Sequence, residues 1–215
     1  MSRNVKIVPA ILTDNTLELN RMVGVGNECA PLVQMDIMDG LFVPSRSVGM
    51  DDLGKADIRF KWEAHLMVAH PLRYLETLRE IGAARIIFHI ESEDNAGCVI
   101  SGARSLGMGV GVAVNPPTRV ADVASLLGRI DSVLLMTVYP GYYGAPFVPE
   151  VMSKVGQVRE AHPEVQIAVD GGINESNLVE VARHGVDTIC IGSAIFRSAN
   201  PAASYCRFVS LARQA

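Results

Sequence analysis

Short apolar runs alternate with helix-periodic segments from one end of the chain to the other. The runs cover residues 5–12, 32–37, 60–66, 84–90, 109–114, 132–137, 166–170 and 188–191. Most are nearly continuous in Val, Ile, Leu and Met, the pattern of strands buried on both faces. Between them, Leu19, Met22 and Val23 share a helical face, as do Val151, Met152, Val155 and Val158, and again Leu178, Val181 and Ala182. Asn15 with Glu18 has the spacing of a capping box, and Pro71 and Pro149 suit a first helical turn. Gly82, Gly107 and Gly185 fall where helices should stop. The segment near 50–56 is the weakest helix pattern. The count is eight strand–helix units, with no linker or composition shift to divide them. That predicts a single (β/α)8 barrel domain spanning 1–215. An open doubly wound sheet would normally carry a glycine fingerprint after its first strand, and Pro9-Ala10-Ile11-Leu12-Thr13 has none.

Composition narrows the function classes. The 215 residues are 49% hydrophobic and 20% charged, enough for a sizeable core. A net charge of −4 gives no electrostatic case for nucleic acid or an anionic membrane. No apolar run approaches a membrane span, and the short N-terminal lead leaves no room for a signal peptide, so a cytoplasmic protein is expected. Cys29, Cys98, Cys190 and Cys206 are scattered without a CxxC pair and read as reduced thiols.

Chemistry is expected at the C-terminal ends of the strands, where a barrel builds its site. Asp36 follows the second apolar run and Asp170 the seventh, and both lead into glycine. A carboxylate at the mouth of a sheet is costly to desolvate and adds nothing to a core. Either alone reads as a turn or cap residue; together with His65, ending the third strand, they suggest a shared site. One imidazole and two carboxylates suit a divalent cation such as zinc, manganese, iron or cobalt. His89, near the end of the fourth strand, reads as structural. Met38, Met67 and Met136 are core fillers individually and an adaptable apolar cap collectively. Asp170-Gly171-Gly172-Ile173-Asn174 and Gly192-Ser193-Ala194 occupy the two loops with which barrels often bind phosphate. A third loop, Tyr139-Pro140-Gly141-Tyr142-Tyr143-Gly144, could close over a ligand or be a plain turn.

With these residues in order, the chain resembles the ribulose-phosphate 3-epimerase family. The resemblance is carried by Pro9-Ala10-Ile11-Leu12, by Asp36-Ile37-Met38-Asp39-Gly40-Leu41-Phe42-Val43-Pro44, and by His65-Leu66-Met67 with Pro71 and Tyr74. Val114-Asn115-Pro116, Met136-Thr137-Val138, Pro140-Gly141, Phe147-Val148-Pro149-Glu150-Val151, Val169-Asp170-Gly171-Gly172-Ile173 and Gly192-Ser193-Ala194-Ile195-Phe196 continue it. It implies a (β/α)8 barrel that inverts C3 of a ketopentose phosphate with a bound divalent metal, most simply D-ribulose 5-phosphate to D-xylulose 5-phosphate. Asp36 and Asp170 would be the acid/base pair and metal ligands, with His65 a further ligand and Met38, Met67 and Met136 the cap. Gly141, Gly144, Gly171, Gly172, Gly192 and Ser193 would receive the phosphate, in a homo-oligomer.

Three positions depart from the family pattern. Gln34 stands where a metal-ligand histidine is usual, and its amide oxygen is a harder, weaker ligand. Ala10 replaces a serine near the substrate, and Tyr143 replaces a glycine in the third loop. Epimerisation of a hexulose phosphate and a sugar-phosphate-binding relative without turnover therefore stand as alternatives. A decarboxylase on the same barrel is expected to carry lysine between its aspartates, where this chain has Met38.

Overall fold

The computed structural model describes residues 5–141 and 144–214; Tyr142 and Tyr143 of the third loop, residues 1–4 and Ala215 lie outside them. Eight parallel strands close into a barrel in chain order. They are β1 (Lys6–Ile11), β2 (Leu32–Met38), β3 (Lys61–Met67), β4 (Arg85–His89), β5 (Gly109–Val114), β6 (Ser132–Met136), β7 (Gln166–Asp170) and β8 (Thr188–Ile191). Each lies where the apolar runs predict it, to within one residue at either end. β8 pairs with β1 through Lys6–Thr188 to Pro9–Ile191, so no sheet edge remains.

The outer layer is α1 (Thr16–Cys29), α2 (Met50–Lys55), α3 (Leu75–Glu80), α4 (Ala96–Ser105), α5 (Ser153–Ala161), α6 (Leu178–Arg183), α7 (Ser193–Phe196) and α8 (Pro201–Ala212). The expected unit between β5 and β6 has no α-helix; two 3-10 turns, Val120–Asp122 and Ala124–Arg129, stand there. Pro116 and Pro117 use up the start of that connection in a form that cannot begin a helix interior, and Gly128 weakens its end. Val120, Val123 and Leu127 still cover the barrel from these turns.

Alternation along the strands divides the core in two. Val33, Met35 and Ile37 of β2, Ala64 and Leu66 of β3 and Val110 and Val112 of β5 face the helices. Val8, Ala10, Ile87, Ala113, Leu134, Met136, Ala168 and Cys190 face the barrel interior. The interior set is interrupted by buried polar side chains: Gln34, Glu63, His65, His89, Ser132 and Asp170. At the N-terminal end of the barrel Glu63 meets Arg85 at 2.9 Å, and Arg85 also donates to Ser132 Oγ at 3.2 Å. The rest gather at the other end.

Helix ends follow their local chemistry. Gly82, Gly107 and Gly185 sit at φ of 93°, 74° and 85°, the left-handed stop that glycine takes without strain. The side chain of Asn15 accepts from the N–H groups of Leu17 and Glu18. The returning half of the expected capping box is absent, because Glu18 pairs with Arg21 at 2.7 Å instead. Among the described residues no helix is long and apolar enough to cross a membrane. Asn15→Ala should cost about 1 kcal/mol of stability, read by urea denaturation, because the first turn of α1 loses its only side-chain cap acceptor on the Leu17 and Glu18 amides.

Candidate active site

Register brings the polar side chains to one level. Asp36 of β2 pairs with His65 of β3, Met136 of β6 with Asp170 of β7, and Asp170 with Cys190 of β8. Ala10 of β1 pairs with Gln34. Between β2 and β7 the barrel passes only through β1 and β8, whose inward residues here are the small Ala10 and Cys190. Their size leaves room for carboxylates from two separated strands to approach. Ligand-type atoms of Asp36, His65 and Asp170 all lie within 4.8 Å of one another.

Gln34 ties this group together from beneath. Its Nε2 donates to Asp36 Oδ1 at 2.9 Å and to Asp170 Oδ2 at 2.6 Å, and lies 3.5 Å from His65 Nδ1. Its Oε1 accepts from the thiol of Cys190 at 3.2 Å. The whole side chain is buried, and every polar atom of it has a partner. His65 Nδ1 faces Asp36 Oδ1 at 2.9 Å and Asp170 Oδ2 at 3.7 Å.

The electrostatics follow from burial and crowding. Burial first, then the charge of Asp36, pushes the Asp170 carboxyl up to about 7, against the opposing His65 charge and the Gln34 hydrogen bond. Burial pulls the His65 imidazole down, but the Asp36 hydrogen bond and the charges of Asp36 and Asp170 outweigh it and leave His65 above its usual range. Burial, with the charge of Asp170 beside it, lifts the Cys190 thiol well above its usual range, which keeps it protonated and a donor. Asp39, in the same motif as Asp36, does a different job. Its carboxylate accepts from the backbone N–H groups of Leu41, Phe42 and Ala69 at 2.8, 2.9 and 2.8 Å, pinning the loop after β2. Burial alone would raise Asp39, and those N–H bonds hold it below the usual carboxylate range.

Above the polar group opens a cleft. Asp36, His65, Met67, Met136 and Asp170 line its inner end, and Gly141, Gly144, Gly171, Gly172, Gly192 and Ser193 line the rest. Met38 is not on the cleft wall. It packs with Met67, Val43, Phe42 and Leu12, supporting Met67 from the side. The glycines of the β7 loop are required by their surroundings. Gly171 has φ 113°, and a Cβ there would lie 2.4 Å from Val138 Cγ2; Gly172 has φ 67°, with Phe147 backbone 2.9 Å from its own imagined Cβ. Thr137 fixes this loop, donating its hydroxyl to the carbonyls of Asp170 and Gly171 at 2.9 and 2.7 Å.

A model of the Ribulose-phosphate 3 epimerase family matches residues 6–196. The chain belongs to this family. It is 38% identical over 206 residues to the cytoplasmic isoform of ribulose-phosphate 3-epimerase from Oryza sativa subsp. japonica, covering 91% of this chain and 89% of the relative. It is 34% identical to ribulose-phosphate 3-epimerase of Mycobacterium leprae (strain TN), over 92% and 91% of the two chains. The fold is similar to that of 3-hexulose-6-phosphate synthase from Salmonella typhimurium (TM-score 0.76, 16% identity, 98% and 99% covered). It is also similar to that of KGPDC from Streptococcus mutans (TM-score 0.78, 14% identity, 99% of each chain).

The donor set suits the divalent metal that the ribulose-phosphate 3-epimerase family implies. Two carboxylate oxygens and one imidazole nitrogen converge, and the nitrogen faces both oxygens. Gln34 is the qualification. Its nitrogen donates to the carboxylates as it stands, and only an amide turned end for end would offer an oxygen. Sequence reasoning missed the bridging role of Gln34, the place of Cys190 beneath it, and Thr137. Gln34 and Cys190 are inward-facing positions, and alternation counted from Asp36 reaches Gln34 directly; Thr137 lies just past the end of β6.

Because the folded-state pKa of Asp170 lies above its unfolded value near 4, the unfolded chain releases that proton first as pH rises. This group therefore subtracts stability progressively from about pH 4 to about pH 7. In chelator, Asp170→Asn should be more stable than the parent, on the order of 1–3 kcal/mol at pH 8 and markedly less at pH 5, read by urea denaturation. An equal gain at both pH values would mean that the carboxylate is not held protonated by its burial.

Proposed function

We propose that the chain, as one barrel domain of residues 1–215, is a ketose-phosphate 3-epimerase, with D-ribulose 5-phosphate and D-xylulose 5-phosphate as its substrate pair. The observation that carries this reading is the approach of Asp36 and Asp170 from separate strands to the inner end of one cleft. The names of the relatives, ribulose-phosphate 3-epimerase in rice and in Mycobacterium leprae, support the substrate pair. The rice relative, a cytoplasmic isoform, supports a cytoplasmic location.

Inversion at C3 needs a base on one face of the carbon and an acid on the other. Asp36 takes the C3 proton of ribulose 5-phosphate; the C–H electron pair becomes the C2–C3 double bond of an enediolate, and charge moves to the C2 oxygen. Asp170 gives a proton to the opposite face, and in the reverse direction the roles exchange. Before any ion is bound, burial and the Asp36 charge raise the Asp170 carboxyl toward neutrality, which favours a group that can both hold and give up a proton. Positioned acid and base catalysis is worth about 10²–10⁴-fold, too little alone for so weak a carbon acid, so the enediolate oxygens need stabilising. One divalent ion held by Asp36, His65 and Asp170, with Gln34 Oε1 as a weak fourth ligand once its amide turns end for end, would supply Lewis-acid stabilisation there. Zinc, manganese, iron and cobalt all suit that donor set. Met67 and Met136, backed by Met38, exclude water from the reacting carbon. The phosphate falls to the glycine-lined outer part, with Gly141, Gly144, Gly171, Gly172, Gly192 and Ser193, where binding remote from C3 holds the sugar in register. Ala10 at the cleft floor leaves more room than a serine would, which favours a hexulose phosphate as the second reading.

Two experiments test this. Asp36→Asn should lower kcat/KM for ribulose 5-phosphate by at least about 10³-fold in a coupled assay, given the worth of a positioned base plus a ligand. Near-normal turnover would remove Asp36 from the chemistry, and better turnover of a hexulose phosphate by the parent protein would select the second reading. Gln34→His should tighten Mn²⁺ or Zn²⁺ binding at least about tenfold in a competition titration, and unchanged affinity would mean that position 34 does not meet the ion.

A further inference from the structure

Two buried imidazoles and a partly exposed carboxylate run in line from the site, and the epimerase reading uses only the first of them. His65 Nε2, on the side of the ring away from the carboxylates, lies 2.9 Å from His89 Nε2. The ring centroids are 5.1 Å apart and the planes are inclined by 26°, so the rings meet edge to edge with the two nitrogens head-on. Neither ring is accessible to solvent. His89 Nδ1 in turn faces Glu91 Oε2 at 3.3 Å.

Glu91 is itself anchored. Its Oε1 accepts from the Asn115 N–H at 2.9 Å and from the Thr118 hydroxyl. That loop is fixed by Lys154 of α5, whose Nζ donates to the carbonyls of Asn115, Pro116 and Thr118 at 2.9, 2.8 and 2.6 Å. These donors make Glu91 an ionised acceptor: burial alone would raise its pKa, and the bonds from His89, Thr118 and Asn115 hold it low.

The direction of each hydrogen bond is then forced. An ionised carboxylate has no proton to give, so His89 carries its proton on Nδ1. Neither ring touches solvent, so His89 sits as the neutral imidazole, and with its one proton on Nδ1 its Nε2 is a bare lone pair. Two lone pairs cannot face each other at 2.9 Å, so the proton between the rings belongs to His65 Nε2. With Nε2 committed to His89, the other ring nitrogen, Nδ1, lies 2.9 Å from Asp36 Oδ1 and 3.7 Å from Asp170 Oδ2; a proton joins it to Asp36 there, and a divalent cation displacing that proton would meet the Nδ1 lone pair between the two carboxylates.

We infer that His89 and Glu91 are positioning residues which fix the tautomer of His65, so that its Nδ1 lone pair points into the space between Asp36 and Asp170. This rests on the reading of that space as a divalent-metal site. Neither residue touches the ion or the substrate. Glu91 acts through two imidazoles, as a carboxylate behind a metal-bound histidine does through one.

The test uses the full-length protein. With ¹⁵N-histidine label and Zn²⁺ as the probe, long-range ¹H–¹⁵N correlation should find the proton of His65 on Nε2 and that of His89 on Nδ1. The reverse pair of tautomers overturns the inference without any substitution. Mn²⁺ affinity, read by EPR of the free ion, should weaken about 10–100-fold in Glu91→Gln and in His89→Leu. His89→Gln should recover part of the loss, because its amide oxygen can still accept from His65 Nε2. Circular dichroism melts identify any variant that fails to fold, and for such a variant the parent's tautomers decide. Unchanged Mn²⁺ affinity in folded Glu91→Gln and His89→Leu overturns this inference and leaves the metal site standing. No Mn²⁺ or Zn²⁺ bound by the parent or by Gln34→His overturns the metal site, and the inference with it.

Discussion

The structure depends on holding two carboxylates close together out of water. Oxygens of Asp36 and Asp170 lie within 4.8 Å of each other and of the His65 imidazole, at the inner end of a cleft with an apolar wall. Unpaired, such groups cost several kcal/mol each in desolvation and repulsion. The fold offsets this with one side chain from below: both protons of the Gln34 amide are spent on the two carboxylates, and Cys190 occupies its oxygen. The small residues Ala10 and Cys190 on the two intervening strands make that geometry sterically available. Site and barrel closure are therefore one constraint, since only the pairing of β8 with β1 brings β2 and β7 to this separation.

Around this centre the surrounding residues separate into those that hold and those that face the cleft. Asp39 is three positions from Asp36, yet its carboxylate is consumed by backbone amides and shapes the loop after β2. Thr137 grips the carbonyls on either side of the β7 turn, and Gly171 and Gly172 let that turn pack tightly on Val138 and Phe147. The β2 and β7 loops beside the cleft are thus held by their own contacts before any ligand arrives, which is the preorganisation that catalysis calls for.

Much of this was legible in the chain. The eight strands could be placed because parallel strands covered on both faces are apolar nearly throughout, and Asp36, His65 and Asp170 stood out as polar residues ending such runs. The missing helix between β5 and β6 was not legible, because a periodic apolar pattern does not distinguish two 3-10 turns from one α-helix. Gln34 reads from the sequence as a departure from the family pattern, not as the bridge between carboxylates, the second of them 136 positions further along the chain. Cys190 and Thr137 look like ordinary strand residues. Only the register of the closed barrel sets Cys190 under Gln34, and only the β7 turn gives Thr137 its acceptors. His89 read as structural; its hydrogen bonds to His65 and Glu91 depend on ring orientations that no spacing encodes.

Action of Asp36 and Asp170 on opposite faces of one carbon can be checked face by face with isotope exchange. Asp170→Asn and Asp36→Asn proteins would each be incubated in D₂O with ribulose 5-phosphate and, separately, with xylulose 5-phosphate, and C3 deuteration followed by NMR. Asp170→Asn should exchange C3 of ribulose 5-phosphate alone and Asp36→Asn that of xylulose 5-phosphate alone, each without conversion. Exchange of the same epimer by both variants would refute the opposed-face assignment.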